Sequence, residues 1–212
     1  MELSDAIRKR RSVRKYNDIP VSDDEISEMI EAAICAPSAC NYQLWKFIVI
    51  NDMSIIHRIQ QKGGAYFLRD VRQAIVVVYD NQSDNLEYMD YIESASAAIQ
   101  NMILKATELD IGTCWVNNLP NKRVMRRLLK IPKWYDPIAM VTMGHYLEMP
   151  RNMERKFGLE DVMSYNVFDF CTDRKSIFRL TIRRWARIIY KLVPCKSCIY
   201  GLAGKLEKKF DN

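Results

Sequence analysis

The stretch 22–50, SDDEISEMIEAAICAPSACNYQLWKFIVI, sets a capped helix, a loop and a strand in succession, and its reading decides the fold class. Ser22-Asp23-Asp24-Glu25 is a capping box, in which the serine oxygen and the glutamate side chain each satisfy a backbone donor left open at a helix start. Ile26, Met29, Ile30, Ala33 and Ile34 then recur at spacings of three and four, so a helix starts at Ser22 and ends before Pro37, which cannot continue it. Lys46-Phe47-Ile48-Val49-Ile50 is a run of strand length, read as apolar on both faces, as a sheet covered by helices requires.

Downstream, Ala74–Tyr79 repeats that pattern, and Gly112–Val116 and Ile138–Met143 are two further strand candidates. A helix is predicted over Tyr88–Leu109, where Ile92, Ala95, Ile99, Met102, Ala106 and Leu109 form a heptad-like stripe beside the small residues 94–98. That spacing suits a buried core helix and a dimer seam equally. The whole is an α+β domain over residues 1–170, a central sheet sandwiched by helices, with an extension over 171–212.

At 212 residues, 49% of them hydrophobic, the chain buries a sizeable core without disulfides or metals. Its six cysteines read as reduced thiols, and Cys195-Lys196-Ser197-Cys198 is a lone C-x-x-C with no second pair, so no metal site is assigned. Neither His57 nor His145 stands in a zinc-ligand pattern, and there is no nucleophile elbow or Walker loop, which leaves hydrolytic chemistry little support. His57 reads as a solvated or capping residue. The start lacks the basic flank and apolar block of a signal peptide, and no apolar run approaches the roughly 18 residues a membrane helix needs, so a cytoplasmic protein is expected.

The net charge of +6 is uneven: residues 175–212 hold ten Lys/Arg and two acids, a net of +8, which leaves −2 for residues 1–174. The main domain therefore carries no electrostatic footprint for nucleic acid. In the extension, Phe178, Ile182, Trp185, Ile189 and Leu192 are spaced four, three, four and three, with Arg179, Arg183, Arg184, Arg187 and Lys191 on the other side. This is an amphipathic basic helix, suited to peripheral contact with an anionic membrane or to packing across a dimer.

Two segments carry polar groups in a pattern that suits a phosphorylated ligand. Arg10-Arg11-Ser12-Val13-Arg14 offers forked guanidinium donors and a hydroxyl to phosphate oxygens; the alternative is a basic helix end that complements the helix dipole. Pro37, Ser38, Asn41 and Gln43 lie in an irregular stretch whose amides suit the polar edge and ribityl chain of a flavin; the alternative is an ordinary Ser/Asn-rich turn.

Taken together and in this order, the chain resembles the nitroreductase-like flavoproteins. The resemblance rests on Arg10–Tyr16, Pro20-Val21, Glu31-Ala32-Ala33, Ala36–Trp45, Ile111–Trp115 and Val141–His145, with Arg155-Lys156 beyond, and it covers about residues 1–165. The chain departs from the family pattern at Leu44, where a proline is usual, and after Gly144. The resemblance implies a three-layer nitroreductase fold with a mostly antiparallel sheet, in an intertwined homodimer with two flavin mononucleotide (FMN) sites. Arg10, Arg11, Ser12, Arg14 and Arg155 would hold phosphate and ribityl oxygens. Pro37, Ser38, Asn41 and Gln43 would come from the partner chain, and Trp115, Val116, Asn117 and Asn118 would face the reactive edge of the ring. The flavin carries the chemistry, so no catalytic acid or base is named. The implied activity takes electrons from NAD(P)H by a ping-pong route and gives them to a nitroaromatic, a quinone or a flavin; a specialised biosynthetic flavoenzyme and a flavin-binding partner protein without turnover are the alternatives.

Overall fold

The computed structural model describes residues 1–82, 85, 87–148, 150, 154–170, 178, 181, 182, 184, 185 and 188. It forms two compact units, one over Met1–Pro150 and a second that takes in residues 154–170. The first contains α1 (Leu3–Lys9), α2 (Asp23–Ile34), β1 (Trp45–Ile50), α3 (Met53–Gln61), β2 (Gln73–Asp80), α4 (Asp90–Glu108), β3 (Gly112–Val116), α5 (Lys122–Leu129) and β4 (Tyr135–Gly144). The capping box of α2 is formed: Glu25 N–H donates to Ser22 Oγ at 3.3 Å and Ser22 N–H to Glu25 Oε2 at 2.8 Å.

The strands make one antiparallel sheet in the order β1-β2-β4-β3. Alternation along β2 divides the core. Ile75, Val77 and Tyr79 face a layer built on α2 and α4, while Ala74, Val76 and Val78 face a layer with Ile56 and Ile59 of α3 and Met125 of α5. Two helical layers on one sheet give the three-layer α+β architecture. β1 departs from its expected burial: it is an outer strand, where only Trp45 and Ile50 are buried while Lys46 and Val49 are exposed. β4 begins three residues before its predicted start and takes in Pro137, which sits at a register shift opposite Val77/Val78 where the ladder is interrupted.

The two readings of the Tyr88–Leu109 stripe are now separable. Ala95, Ala98, Ile99, Met102 and Ala106 are fully buried within the single chain, against α2 and the sheet, so α4 is the central core helix. α5 is tied to β4 through Asp136, a carboxylate only 7% exposed that accepts from Lys122, Arg126 and, at 2.9 Å, Asn81 Nδ2. Arg126 also donates from Nε to the Tyr135 carbonyl at 3.0 Å.

In the second unit Gly158 N–H donates to Asp161 Oδ2 at 2.8 Å, and Phe168 meets Phe170 edge-on at 5.0 Å. Phe157, Leu159, Val162, Tyr165, Val167 and Phe168 of this unit are each 62–77% exposed.

Candidate functional site

The first candidate segment leaves the helix that precedes it. α1 ends at Lys9, and Arg10, with φ −51° and ψ 123°, turns out of it, so Arg8 and Lys9 occupy the last turn and complement its dipole. The chain then runs along the free edge of β3: Ser12 forms a parallel bridge with Thr113, and Val13 N–H donates to the Thr113 carbonyl at 2.9 Å.

Two glycines facing each other across β3 and β4, Gly112 and Gly144, make room for this segment. A Cβ on Gly112 would lie 2.9 Å from Val13 Cβ, and one on Gly144 would lie 2.8 Å from Tyr16 Cγ. Tyr16 locks the slot. Its hydroxyl donates to the Val13 carbonyl at 2.7 Å and lies 2.7 Å from Thr142 Oγ1; with its one proton on Val13, it accepts from the buried threonine. Burial pushes the Tyr16 phenol far above its ordinary pKa, so it keeps that proton at every working pH.

Fixing Val13 aims its neighbours. Arg10, Ser12 and Arg14 alternate along the segment and gather around Cys114, whose thiol burial pushes up while Arg14, Ser12 and Arg10 act to bring it down. The guanidinium of Arg14 lies 5.9 Å from the centre of the Phe67 ring. All four polar residues of the segment are half-buried. Two guanidinium groups and a hydroxyl, partly withdrawn from water, form a donor set suited to a phosphate monoester.

Trp115, Val116, Asn117 and Asn118 continue from the same strand. Trp115 is half-buried and donates from Nε1 to Asn117 Oδ1 at 3.2 Å, Val116 is buried, and Asn117 and Asn118 are exposed. The Asn118 carbonyl accepts from Ala65 N–H at 2.9 Å, which ties this end of β3 to the segment that carries Phe67.

The second candidate segment is strained. Cys40, Asn41 and Gln43 have φ of 48°, 56° and 52°, a left-handed conformation that costs on the order of 1 kcal/mol or more for each non-glycine residue. Ser38 Oγ accepts from Gln43 N–H at 3.0 Å, Gln43 Nε2 donates to Asn41 Oδ1 at 2.7 Å, and Ala39 N–H donates to Ser94 Oγ at 3.0 Å. These bonds hold the conformation and present Pro37, Asn41 and Gln43 to solvent, with Ser38 half-buried.

Within the chain the two segments stand at diagonal corners of the sheet. Ser12 lies beyond β3, in the row Thr113–Met143–Gln73, whereas the strained loop enters β1 at Trp45, in the row of Tyr79 and Asp136. Four strand spacings in one direction and six residues in the other put these points about 19 Å apart across the sheet and about 20 Å apart along it. The packed sheet and α4 lie between them. Arg155 is exposed and belongs to the second unit.

Tyr16, Thr142 and Phe67 were not selected from the sequence as site residues. The signal that points to Tyr16 is the pair of glycines inside apolar strands, which marks a close approach of other chain. His57 takes a structural role, its Nε2 2.7 Å from the Arg69 carbonyl. Among the described residues no group of His, Cys, Asp and Glu is arranged to hold a metal ion, and Cys195 and Cys198 lie outside them.

The nitroreductase family model matches residues 7–62 and 53–145, which takes in the arginine segment, the strained loop and β1 through β4. The chain belongs to the nitroreductase family. Among its nitroreductase relatives, a Methanothermobacter thermautotrophicus protein provisionally named an NADH dehydrogenase/NAD(P)H nitroreductase is 33% identical over 155 residues, 71% of this chain and 80% of the relative. An FMN-dependent nitroreductase from Clostridium difficile R20291 superposes with a TM-score of 0.68 at 29% identity, over 77% of this chain and 98% of the other. A provisionally assigned nitroreductase from Desulfovibrio desulfuricans, solved in complex with FMN, superposes with a TM-score of 0.65 at 27% identity, over 79% and 98%.

Proposed function

We propose that this nitroreductase-family chain is an FMN-dependent oxidoreductase that takes electrons from NAD(P)H and delivers them by a ping-pong route to a small acceptor such as a nitroaromatic, a quinone or a flavin. The observation that carries the reading is the half-buried donor set Arg10, Ser12 and Arg14, held along the edge of β3 beside Trp115–Asn118. In this reading Arg10, Arg11, Ser12 and Arg14 bind the phosphate and ribityl oxygens, Arg155 adds a further cation, and Trp115, Val116, Asn117 and Asn118 line the ring. FMN supplies the electron-carrying chemistry; the protein holds it, shields one face and leaves room for one small molecule at a time.

The same reading makes the working unit a homodimer. Asn41 and Gln43 of a protomer cannot reach its own arginine segment through the packed sheet, so a flavin that touches both segments takes Pro37, Ser38, Asn41 and Gln43 from the second chain. The seven large apolar side chains exposed between residues 157 and 168 support a partner surface in the same way, because apolar area of that extent gains stability when it is removed from water.

Two measurements test the proposal. Reduced nicotinamide added without oxygen should bleach the visible band of the bound flavin, and a nitroaromatic added afterwards should restore it; steady-state rates against both substrates should give parallel double-reciprocal lines. A flavin that stays oxidised in the presence of both NADH and NADPH would remove the reductase assignment. Tyr16→Phe should keep the ring over Gly144 but leave the Val13 carbonyl without its phenol donor. With one neutral hydrogen bond worth about 1 kcal/mol, FMN affinity is expected to fall by roughly fivefold, and thermal stability by a few degrees at most. Unchanged affinity in a Tyr16→Phe chain would show that the phenol does not aim the arginines.

A further inference from the structure

Phe178, Ile182, Trp185 and Ile188 are helical and 74%, 52%, 60% and 48% exposed, a concentration of large apolar groups outside the flavin-binding segments. By sequence spacing alone, at about 100° per residue, positions 178, 182, 185 and 188 fall within an arc of roughly 120°, with position 184 outside it; Arg184 is exposed. The sequence around them is strongly basic: no acid stands between Asp173 and Glu207, and residues 175–212 carry a net +8.

Charge separates this surface from the other exposed apolar stretch of the chain. Residues 154–170 contain Arg155 and Lys156 against Glu154, Glu160, Asp161 and Asp169, a net of −2 that suits a protein partner and opposes an anionic surface. A second copy of this chain offers only a net −2 over residues 1–174 to set against the +8. An anionic bilayer offers dense negative charge above an apolar layer, which meets both the arginines and the exposed aromatic and aliphatic groups. No helix among the described residues is long and apolar enough to cross a membrane, so the contact is with the surface.

We propose that the segment around Phe178, Ile182, Arg184 and Trp185 docks this enzyme onto anionic lipid headgroups, with Trp185 and its apolar neighbours entering the interface. The attraction is electrostatic in its long-range part and weakens with salt, because it decays within a Debye length. The binding is independent of the flavin chemistry proposed above.

The test uses the full-length protein, loaded with FMN, and vesicles of phosphatidylcholine with or without phosphatidylglycerol. The protein should sediment with the phosphatidylglycerol vesicles, stay in the supernatant with phosphatidylcholine alone, and lose most of its binding as salt is raised. Two full-length variants, Ile182→Ser with Trp185→Ser, and Arg183→Glu with Arg184→Glu, should each lose vesicle binding at least tenfold while keeping the flavin band and the sedimentation coefficient of the parent. Should a variant fold poorly, the emission lost on Trp185→Phe reports on the same site: the Trp185 contribution should shift to shorter wavelength with anionic vesicles alone. No sedimentation with anionic vesicles at low salt, equal binding to neutral vesicles, or variants that fall apart into monomers would each overturn the proposal. Vesicle binding by a chain that takes up no FMN would leave this inference standing and sink the flavin reading.

Discussion

Alanine at both Arg10 and Arg14 should empty the flavin site while the protein stays folded. Both arginines are half-buried beside Cys114 at the sheet edge, and neither belongs to the two core clusters. Each charge-assisted bond to a phosphate oxygen contributes about 1.5–3 kcal/mol, so the pair together should raise the dissociation constant for FMN by roughly 100-fold or more. Arg11→Ala should cost clearly less, since in an extended segment Arg11 falls out of phase with Arg10, Ser12 and Arg14. Equilibrium dialysis against FMN, with circular dichroism and thermal melts on the same samples, separates loss of the site from loss of the fold. A double variant that keeps parental affinity would place the phosphate elsewhere.

Asp136→Ala should lower the stability of the fold, and by an amount that depends on pH. The carboxylate is nearly inaccessible and accepts from Lys122, Arg126 and Asn81, so its removal leaves two cations and an amide without their common partner. Lys122 and Arg126 are 49% and 24% exposed and can be hydrated once the carboxylate is gone, so the loss is about 1–3 kcal/mol. The effect should depend on pH. Burial acts to raise the Asp136 carboxyl, but Lys122, Asn81 and Arg126 outweigh it and hold the folded value below the ordinary one. A depressed folded pKa stabilises the protein above the unfolded value, near 3.9, and that stability is lost as pH falls through the folded value. The melting temperatures of parent and Asp136→Ala should therefore differ at pH 7 and draw together as the pH falls from about 4 through the folded value. A gap that stays constant through acid would mean that Asp136 acts through packing alone.

The parts of this structure legible in the sequence are those governed by local rules. Ser22 and Glu25 mark a helix start whatever surrounds them, and the run from Ala74 to Tyr79 reads as a covered strand because both its faces are apolar. The burial of β1 was not legible: the exposure of Lys46 and Val49 depends on β1 being an outer strand, which is a property of strand order. The role of the Tyr88–Leu109 stripe was equally open, because small residues at heptad spacing suit a core and an interface alike, and only the packing of α2 against Ala95, Ala98 and Met102 separates them. At the candidate site the arginines and the amides were visible as residue types. Their support was not, since Tyr16 and Thr142 are 126 residues apart in the chain and meet only after β4 is laid beside β3.

Sedimentation velocity of the FMN-loaded protein, followed at the visible absorption band of the flavin, tests most directly the claim that this nitroreductase holds FMN between two chains. The flavin signal should move as a single boundary with the mass of two chains and two flavins, and it should be lost from a chain carrying Arg10→Ala and Arg14→Ala. A flavin signal that remains near the meniscus, or that travels with one chain alone, would contradict the shared site.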